Sequence, residues 1–236
     1  MSDATSETPA PKPVKATSAK GKRVKAPTGP RDPSFKPTAG FERSELPDTA
    51  SLPKPIDWAA IYGRVAPLSV EIGCGGGRTV ITMAEEHPEK NYLGIEIAGD
   101  YYKLLRERAG KRTNLSNIKT ARIDAAYLMQ KYFGNDCVDE YHVYFPDPWP
   151  KKKHHKRRLF SDQFCADLRR TLKPDGVLWF ATDHAEYFSV LLPRLRKTLQ
   201  VEEHPAPWPD APGGRTNYEV KYLEEGRPIY RLIGRR

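Results

Sequence analysis

From residue 68 to residue 199 the apolar positions switch repeatedly between two periods. Short apolar-rich runs end at Gly, Asp or Pro. Each is followed by a stretch whose apolar residues recur three and four apart. Strands are predicted over residues 68–72, 91–97, 118–123, 138–145 and 177–182. Helices are predicted over residues 79–87, 100–111, 125–132, 159–172 and 185–199, the last with Pro193 as a kink point. Five repeats of strand then helix build a parallel sheet covered on both faces. After Val201 the rhythm breaks. A loop carrying Pro205, Pro207, Pro209 and Pro212 leads to an apolar run over residues 218–222. The turn Glu224-Glu-Gly-Arg-Pro228 then leads to another over residues 229–233. These two runs are predicted to form an antiparallel strand pair closing the sheet. The expected fold is therefore α/β, with a mostly parallel seven-stranded sheet, helices on both faces and a C-terminal antiparallel pair.

Upstream the pattern is absent. Residues 1–48 are rich in Pro, Lys, Ala, Thr and Ser, with almost no large apolar side chain before Phe35. Such a segment buries too little surface to offset chain entropy, which predicts a disordered basic tail and a single domain over residues 49–236. The stretch 41–61, with Trp58 and the adjoining Tyr62, is expected to pack onto that domain as an entry segment. At 236 residues and 38% hydrophobic, the chain is long enough for one α/β core plus a tail. No apolar run approaches the ~18 residues that a membrane span needs. The first ten residues are polar and lack the apolar core of a secretory signal. Cys74, Cys137 and Cys165 are scattered and odd in number, which disfavours a disulfide framework or a zinc site and suits a reducing cytoplasm. No metal and no membrane partner are expected, and a monomer or a homodimer are both left open.

Charge changes the picture more than composition does. Met1 to Lys36 holds eight Lys/Arg and three Asp/Glu, a net +5. Lys151 to Arg158 holds six Lys/Arg and no acid, a net +6. The whole chain carries only +9, so the remainder is −2. A near-neutral globule with two basic appendages is a common layout for a polyanion binder.

The second appendage sits in an unusual stretch, F-P-D-P-W-P-K-K-K-H-H-K-R-R from Phe145 to Arg158. Two prolines stiffen the loop around Asp147 and end the preceding strand. A carboxylate and a stackable ring, Trp149, thus stand at a strand exit beside a run of side chains that can grip phosphate. Three other acids fall at predicted strand ends: Glu96, Asp124 and Asp183. In a doubly wound sheet that is where ligands collect.

The first strand leads into a loop with Gly73, Gly75 and Gly77, which lets backbone approach a ligand closely. Glu96, one strand later, is placed to take both hydroxyls of a ribose. The dinucleotide fingerprint G-x-G-x-x-G needs glycine at 78, where Arg78 stands, and Glu71 would repel a pyrophosphate. The ammonium of S-adenosylmethionine would instead be attracted by Glu71, and Asp124 can accept from an adenine amino group.

Taken together, E-I-G-C-G-G-G, G-I-E-I and Y-F-P-D-P-W-P-K-K-K-H-H-K-R-R-L resemble the bacterial tRNA (guanine-N7)-methyltransferases, over residues 68–222. The resemblance implies a Rossmann-like class I fold that methylates guanine 46 in the variable loop of tRNA. It implies that Glu71, Glu96, Asp124 and Asp147 contact S-adenosylmethionine and that Asp147 is also catalytic. It puts Lys151, Asp183, Thr216, Asn217, Tyr218 and Glu219 on the substrate nucleotide. It puts Lys153, His154, His155, Lys156, Arg157 and Arg158 on the RNA. Position 217 departs from the family, which commonly has a basic residue there. Two rivals are an amino-group methyltransferase for adenine or cytosine and a non-catalytic RNA-binding protein on a methyltransferase scaffold. The adjacent-proline D-P-P-W loop of the first is missing here, and the second needs neither the glycine loop nor four strand-end acids.

Overall fold

The computed structural model describes residues 44–211 and 213–236. The expectation of a disordered tail falls on residues 1–43 for nearly all its length and lies outside them. The described chain forms strands β1 (Leu68–Ile72), β2 (Asn91–Ile95), β3 (Ile118–Ala121), β4 (Val138–Tyr144), β5 (Leu172–Thr182), β6 (Gln200–Glu203) and β7 (Tyr230–Arg235). The helices are α1 (Trp58–Tyr62), α2 (Arg78–Glu86), α3 (Gly99–Gly110), α4 (Ala125–Tyr132), α5 (Asp162–Thr171), α6 (Ala185–Leu195) and α7 (Asn217–Glu224). One seven-stranded sheet runs in the order β3-β2-β1-β4-β5-β7-β6. Strands β1 to β5 pair in parallel, and β7 is antiparallel to both β5 and β6.

Every residue of β1 and of β2 is buried, the polar Ser69, Glu71 and Asn91 included, because helices cover both faces of the sheet at these strands. Helices α4, α5 and α6 cover one face, with Leu128, Met129, Phe164, Leu168, Tyr187 and Leu191 in the larger core. Helices α2 and α3 cover part of the other, through Val80, Ile81, Ala84, Tyr102 and Leu105. A third cluster of Tyr144, Ala181, Trp208 and Ile233 seals that face over β4, β5 and β7.

Two expectations are corrected. Residues 218–222 are helical, inside α7, and not a strand. Thr216 caps this helix, its hydroxyl accepting from the Glu219 amide at 3.0 Å, and the Tyr218 and Tyr222 rings, four residues apart, meet on one side with centroids 6.0 Å apart. The strand that pairs with β7 is instead Gln200–Glu203, a polar edge strand whose alternation is too short to register in the sequence. The domain also starts before residue 49. Glu45 bridges to Thr120 at the edge of β3, and the Leu46 amide donates to the Thr120 carbonyl at 2.8 Å. Leu46, Leu52 and Ile56 are buried in the larger core, and the Trp58 ring meets Phe133 edge-on, so the entry segment does pack onto the domain.

Candidate active site at the strand exits

The sheet order reverses between β1 and β4, and the loops leaving their C-terminal ends flank the crevice where ligands bind in this architecture. The glycine loop forms one wall. Gly73, Gly75 and Gly77 have φ of +74°, +55° and +80°, a region that side chains other than glycine's resist. A Cβ on Gly73 or Gly75 would meet nothing within 4 Å, so open space lies on that side of the loop. A Cβ on Gly77 would run into the tip of the buried Leu105 side chain of α3, and the positive φ there strains any other residue. Glu96 clamps the loop from the end of β2. Its Oε2 accepts from the Gly75 amide at 2.8 Å and its Oε1 from the Ala98 amide at 2.7 Å. The carboxylate predicted to hold a ribose is thereby fixed in place while its remaining lone pairs are available.

Glu71 lies beneath, on β1, only 4% exposed. Burial raises its carboxyl to about 8, opposed by the Val80 amide and reinforced by the charge of Glu96. Its Oε2 has no hydrogen-bond partner among the described residues. No cation among them pairs with it, and a cation arriving there would favour loss of its proton and gain a carboxylate. Asp124 is exposed and caps α4, accepting from the Tyr127 amide at 3.0 Å. It borders a cleft of about 320 Å³ with Tyr127, Ser161 and Phe164.

The opposite wall is the exit of β4. The ladder runs one residue past the strand, with the Phe145 amide donating to Ala181 at 2.7 Å. The backbone then turns through positive φ at Phe145 (+50°) and again at Trp149 (+43°). Both values are costly for aromatic residues and mark a loop held by its surroundings. Asp147, between them, is exposed. Phe145 packs against Tyr218 and Tyr222 of α7, at centroid distances of 6.1 and 5.4 Å. Burial pushes up the Tyr218 hydroxyl, with Tyr101, Tyr222 and then Asp147 adding to the shift, which places Asp147 near α7. Asp183, at the exit of β5, pairs with Arg227 at 3.2 Å.

The segment 215–219 is bolted down across this gap. The Thr79 hydroxyl donates to the Arg215 carbonyl at 2.9 Å, and Arg78 donates to the Asn217 side chain at 2.7 Å. Arg215 lies between the rings of Trp179 and Trp208, 4.7 and 4.8 Å from their centroids, and donates to the Tyr144 hydroxyl. Glu219 is fully buried. Its Oε1 accepts from Arg231 at 2.7 Å and its Oε2 from the Arg215 amide at 2.9 Å. Of the four residues predicted to meet the nucleotide here, Tyr218 is 53% exposed, whereas Thr216 and Glu219 are buried as the cap and anchor of α7. Arg231 and Trp208, which hold this anchor, escaped the sequence reading. Both look like ordinary members of a strand and a Pro-rich loop until the fold brings them together.

The basic run divides in two. A 3₁₀ segment, Lys152–Arg157, presents Lys152, Lys153, Lys156 and Arg157 to solvent, and Lys151 before it is exposed as well. Trp149 is held between His154, edge-on at 5.8 Å, and the Arg157 guanidinium at 4.9 Å. Arg158 departs from the expectation of an RNA contact. It is 7% exposed, donates to the Pro148 carbonyl at 2.8 Å and pairs with Glu186 at 2.6 Å. Its side chain ties the loop bearing Asp147 to α6. His155 is half-buried with an unpartnered Nε2, and so faces inward more than its neighbours.

Residues 65–232 match the family model described as "Putative methyltransferase". A tRNA (guanine-N(7)-)-methyltransferase of Halorhodospira halophila is 35% identical over 187 residues, covering 76% of this chain and 79% of its own. One of Bordetella pertussis is 37% identical over 190 residues, covering 78% and 73%. The chain belongs to the tRNA (guanine-N7)-methyltransferase family. Solved structures agree on the fold. A 16S rRNA methyltransferase, KamB, superposes with a TM-score of 0.57 at 12% identity, over 75% of this chain and 91% of that one. An antibiotic-related methyltransferase gives 0.54 at 18% identity, over 77% and 95%. The family match spans the glycine loop, Asp147, the basic run and α7, so the two walls described above both lie inside it. Among the described residues, no cluster of His, Cys, Asp and Glu is arranged to hold a metal ion. No helix among them is long and apolar enough to cross a membrane.

Proposed function

We propose that this protein transfers a methyl group from S-adenosylmethionine to N7 of guanine 46 in the variable loop of tRNA, in the cytoplasm. Membership of the family supports the reaction. The observation that carries the cofactor is the buried, unpartnered Glu71 oxygen beside a glycine loop with open space on its outer side. Those residues fit a nucleoside that bears an ammonium: Glu71 for the charge, Glu96 for the ribose, Asp124 for the adenine amino group. S-adenosylmethionine, when bound, supplies a methyl group made electrophilic by the sulfonium.

The chain's own residues then have little proton chemistry to do. Guanine N7 carries an in-plane lone pair and no proton, so no general base is needed for attack. Methylation leaves the purine with an added positive charge. Asp147, in a loop stiffened by Pro146 and Pro148 and held by Arg158, offers a fixed carboxylate to stabilise that charge as it develops. Asp183 accepts from the guanine N1–H and 2-amino groups. Lys151 meets the target nucleotide, the exposed Lys153, Lys156 and Arg157 dock the phosphate backbone, and positioning supplies much of the remaining rate. The test is direct. The protein is incubated with labelled S-adenosylmethionine and unmodified tRNA, and product nucleosides are identified by mass. N7-methylguanosine is expected. A methylated amino group on adenine or cytosine instead would overturn the reading.

A further inference from the structure

One ion pair at the mouth of the site has an unusual setting. Arg227 follows α7 in a tight turn, with Gly226 at φ +62° and the Arg227 amide donating to the Tyr222 carbonyl at 2.8 Å. That turn folds the side chain back over its own helix. The guanidinium lies 4.1 Å from the centroid of the Tyr222 ring. One of its nitrogens reaches Asp183 at 3.2 Å, and the other stands 3.6 Å from Glu225. Tyr222 is itself braced edge-on by Phe145, at the exit of β4. So a planar cation rests on an aromatic face and donates an N–H group to a carboxylate at a strand exit.

A guanine base asks for the same two things. It stacks on an aromatic side chain through its face, and its N1–H and 2-amino group donate together to a carboxylate on its Watson–Crick edge. Adenine offers an acceptor at N1 beside its amino donor, so a carboxylate there repels it. We propose that Arg227 occupies the seat of the target guanine in the free protein, with Tyr222 as the stacking platform and Asp183 as the reader of the guanine edge. The proposal rests on the reading of guanine as the substrate, and it adds Tyr222 and Arg227 to the residues that select it. Arg227 is about half exposed and its pair with Asp183 is a surface one, so little holds it against a competing base. It leaves the seat when guanine enters.

The exchange can be read without methyl transfer. Guanosine 5′-monophosphate and adenosine 5′-monophosphate are titrated into the full-length protein, and binding is followed by NMR shifts of the Tyr222 ring and of backbone amides near Asp183. If Arg227 fills the seat nine times in ten, Arg227→Ala raises the affinity for the guanine nucleotide roughly tenfold. The adenine nucleotide gains nothing. Asp183→Asn lowers guanine binding to the adenine level, and Tyr222→Leu weakens both. Arg227→Gln keeps the length without the charge and serves if the alanine variant unfolds; it shows the same gain. Unchanged or weaker guanine binding in the folded Arg227 variants overturns the proposal. So does an equal gain for adenine, or no guanine binding by any variant. Formation of N7-methylguanosine by the unaltered protein is measured separately. Its failure beside intact guanine binding removes the reaction and keeps the seat; the converse removes only the seat.

Discussion

Glu71 and Glu96, on the β1–β2 side of the crevice, are 4% and 7% exposed, whereas Asp147 and Lys151 to Lys153, past β4, stand in solvent. The first pair is enclosed by backbone and core: Glu96 spends both oxygens on amides, and Glu71 is neutralised by burial rather than by a cation. The second group hangs from a loop whose strain is carried at Phe145 and Trp149 and whose position is fixed from outside by Arg158. The contrast follows from the ligands proposed for each side. A small cofactor of constant shape can be met by a preformed, desolvated wall, where each electrostatic contact is strong. A tRNA must arrive from solution and leave after each turnover, so its side keeps solvated charge that acts at a distance and is screened by salt. Asn217 and Arg215 join the two sides, because they tie α7 and the residues before it to the start of α2.

The sharpest break of this contrast is Asp147→Ala. Because Asp147 is exposed, the fold should survive with an unchanged circular dichroism spectrum. Methyl transfer in single turnover should fall by about a thousandfold or more. Unchanged turnover would take Asp147 out of the chemistry. Next in size is Glu219→Gln, which leaves Arg231 buried without its counter-charge. It should cost about 3–5 kcal/mol in urea unfolding and loosen α7 from the site. A loss below about 1 kcal/mol would mean that the buried pair does not anchor the helix.

Glu71 sharpens the cofactor side through pH. Its folded value, about 8, lies above the unfolded one near 4.5, so the native state binds the extra proton between them. Stability of the cofactor-free protein should therefore fall as pH rises through that window, by up to roughly 1.4 kcal/mol per pH unit from this group. Glu71→Gln should remove that component of the slope, measured by urea unfolding at pH 5, 6, 7 and 8. An identical slope in the variant would contradict the shift. On the RNA side, replacing Lys152, Lys153 and Lys156 with alanine should lower the salt dependence of tRNA binding by about 2–3 in log–log slope. Cofactor affinity should not change, and equal loss of both would dissolve the distinction between the walls. The smallest effect is Asp124→Ala, which removes the cap of α4 and should cost about 1 kcal/mol of stability.

Much of this was legible in the chain because its local signals and its fold agree. The five parallel strands and their helices follow the alternation of periods, and β1 and α4 begin and end where the pattern says. Glu96, Asp124, Asp147 and Asp183 stand out as acids at the ends of predicted strands, and Glu71 as an acid inside one. What stayed hidden depends on contacts distant in sequence. Residues 218–222 alternate like a strand, yet the Thr216 cap and the burial of Glu219 against Arg231 win over that pattern and make α7. Strand β6 has only four residues and is polar, so its pairing with β7 leaves no trace in composition. Arg158 reads as one more cation in a basic run. Only the packing of α6 beside the loop reveals that Glu186 and Pro148 turn it inward, with its guanidinium 4.9 Å from the Tyr187 ring.

The central claim is tested most directly by removing the attacking atom alone. A tRNA carrying 7-deazaguanine at position 46 keeps the Watson–Crick edge, the stacking face and every phosphate but has carbon in place of N7. It should bind this protein as tightly as the natural tRNA, at equal salt, and accept no methyl group. Labelled methyl incorporated into the deaza tRNA at the rate of the natural one would contradict the account and place the reaction at another atom.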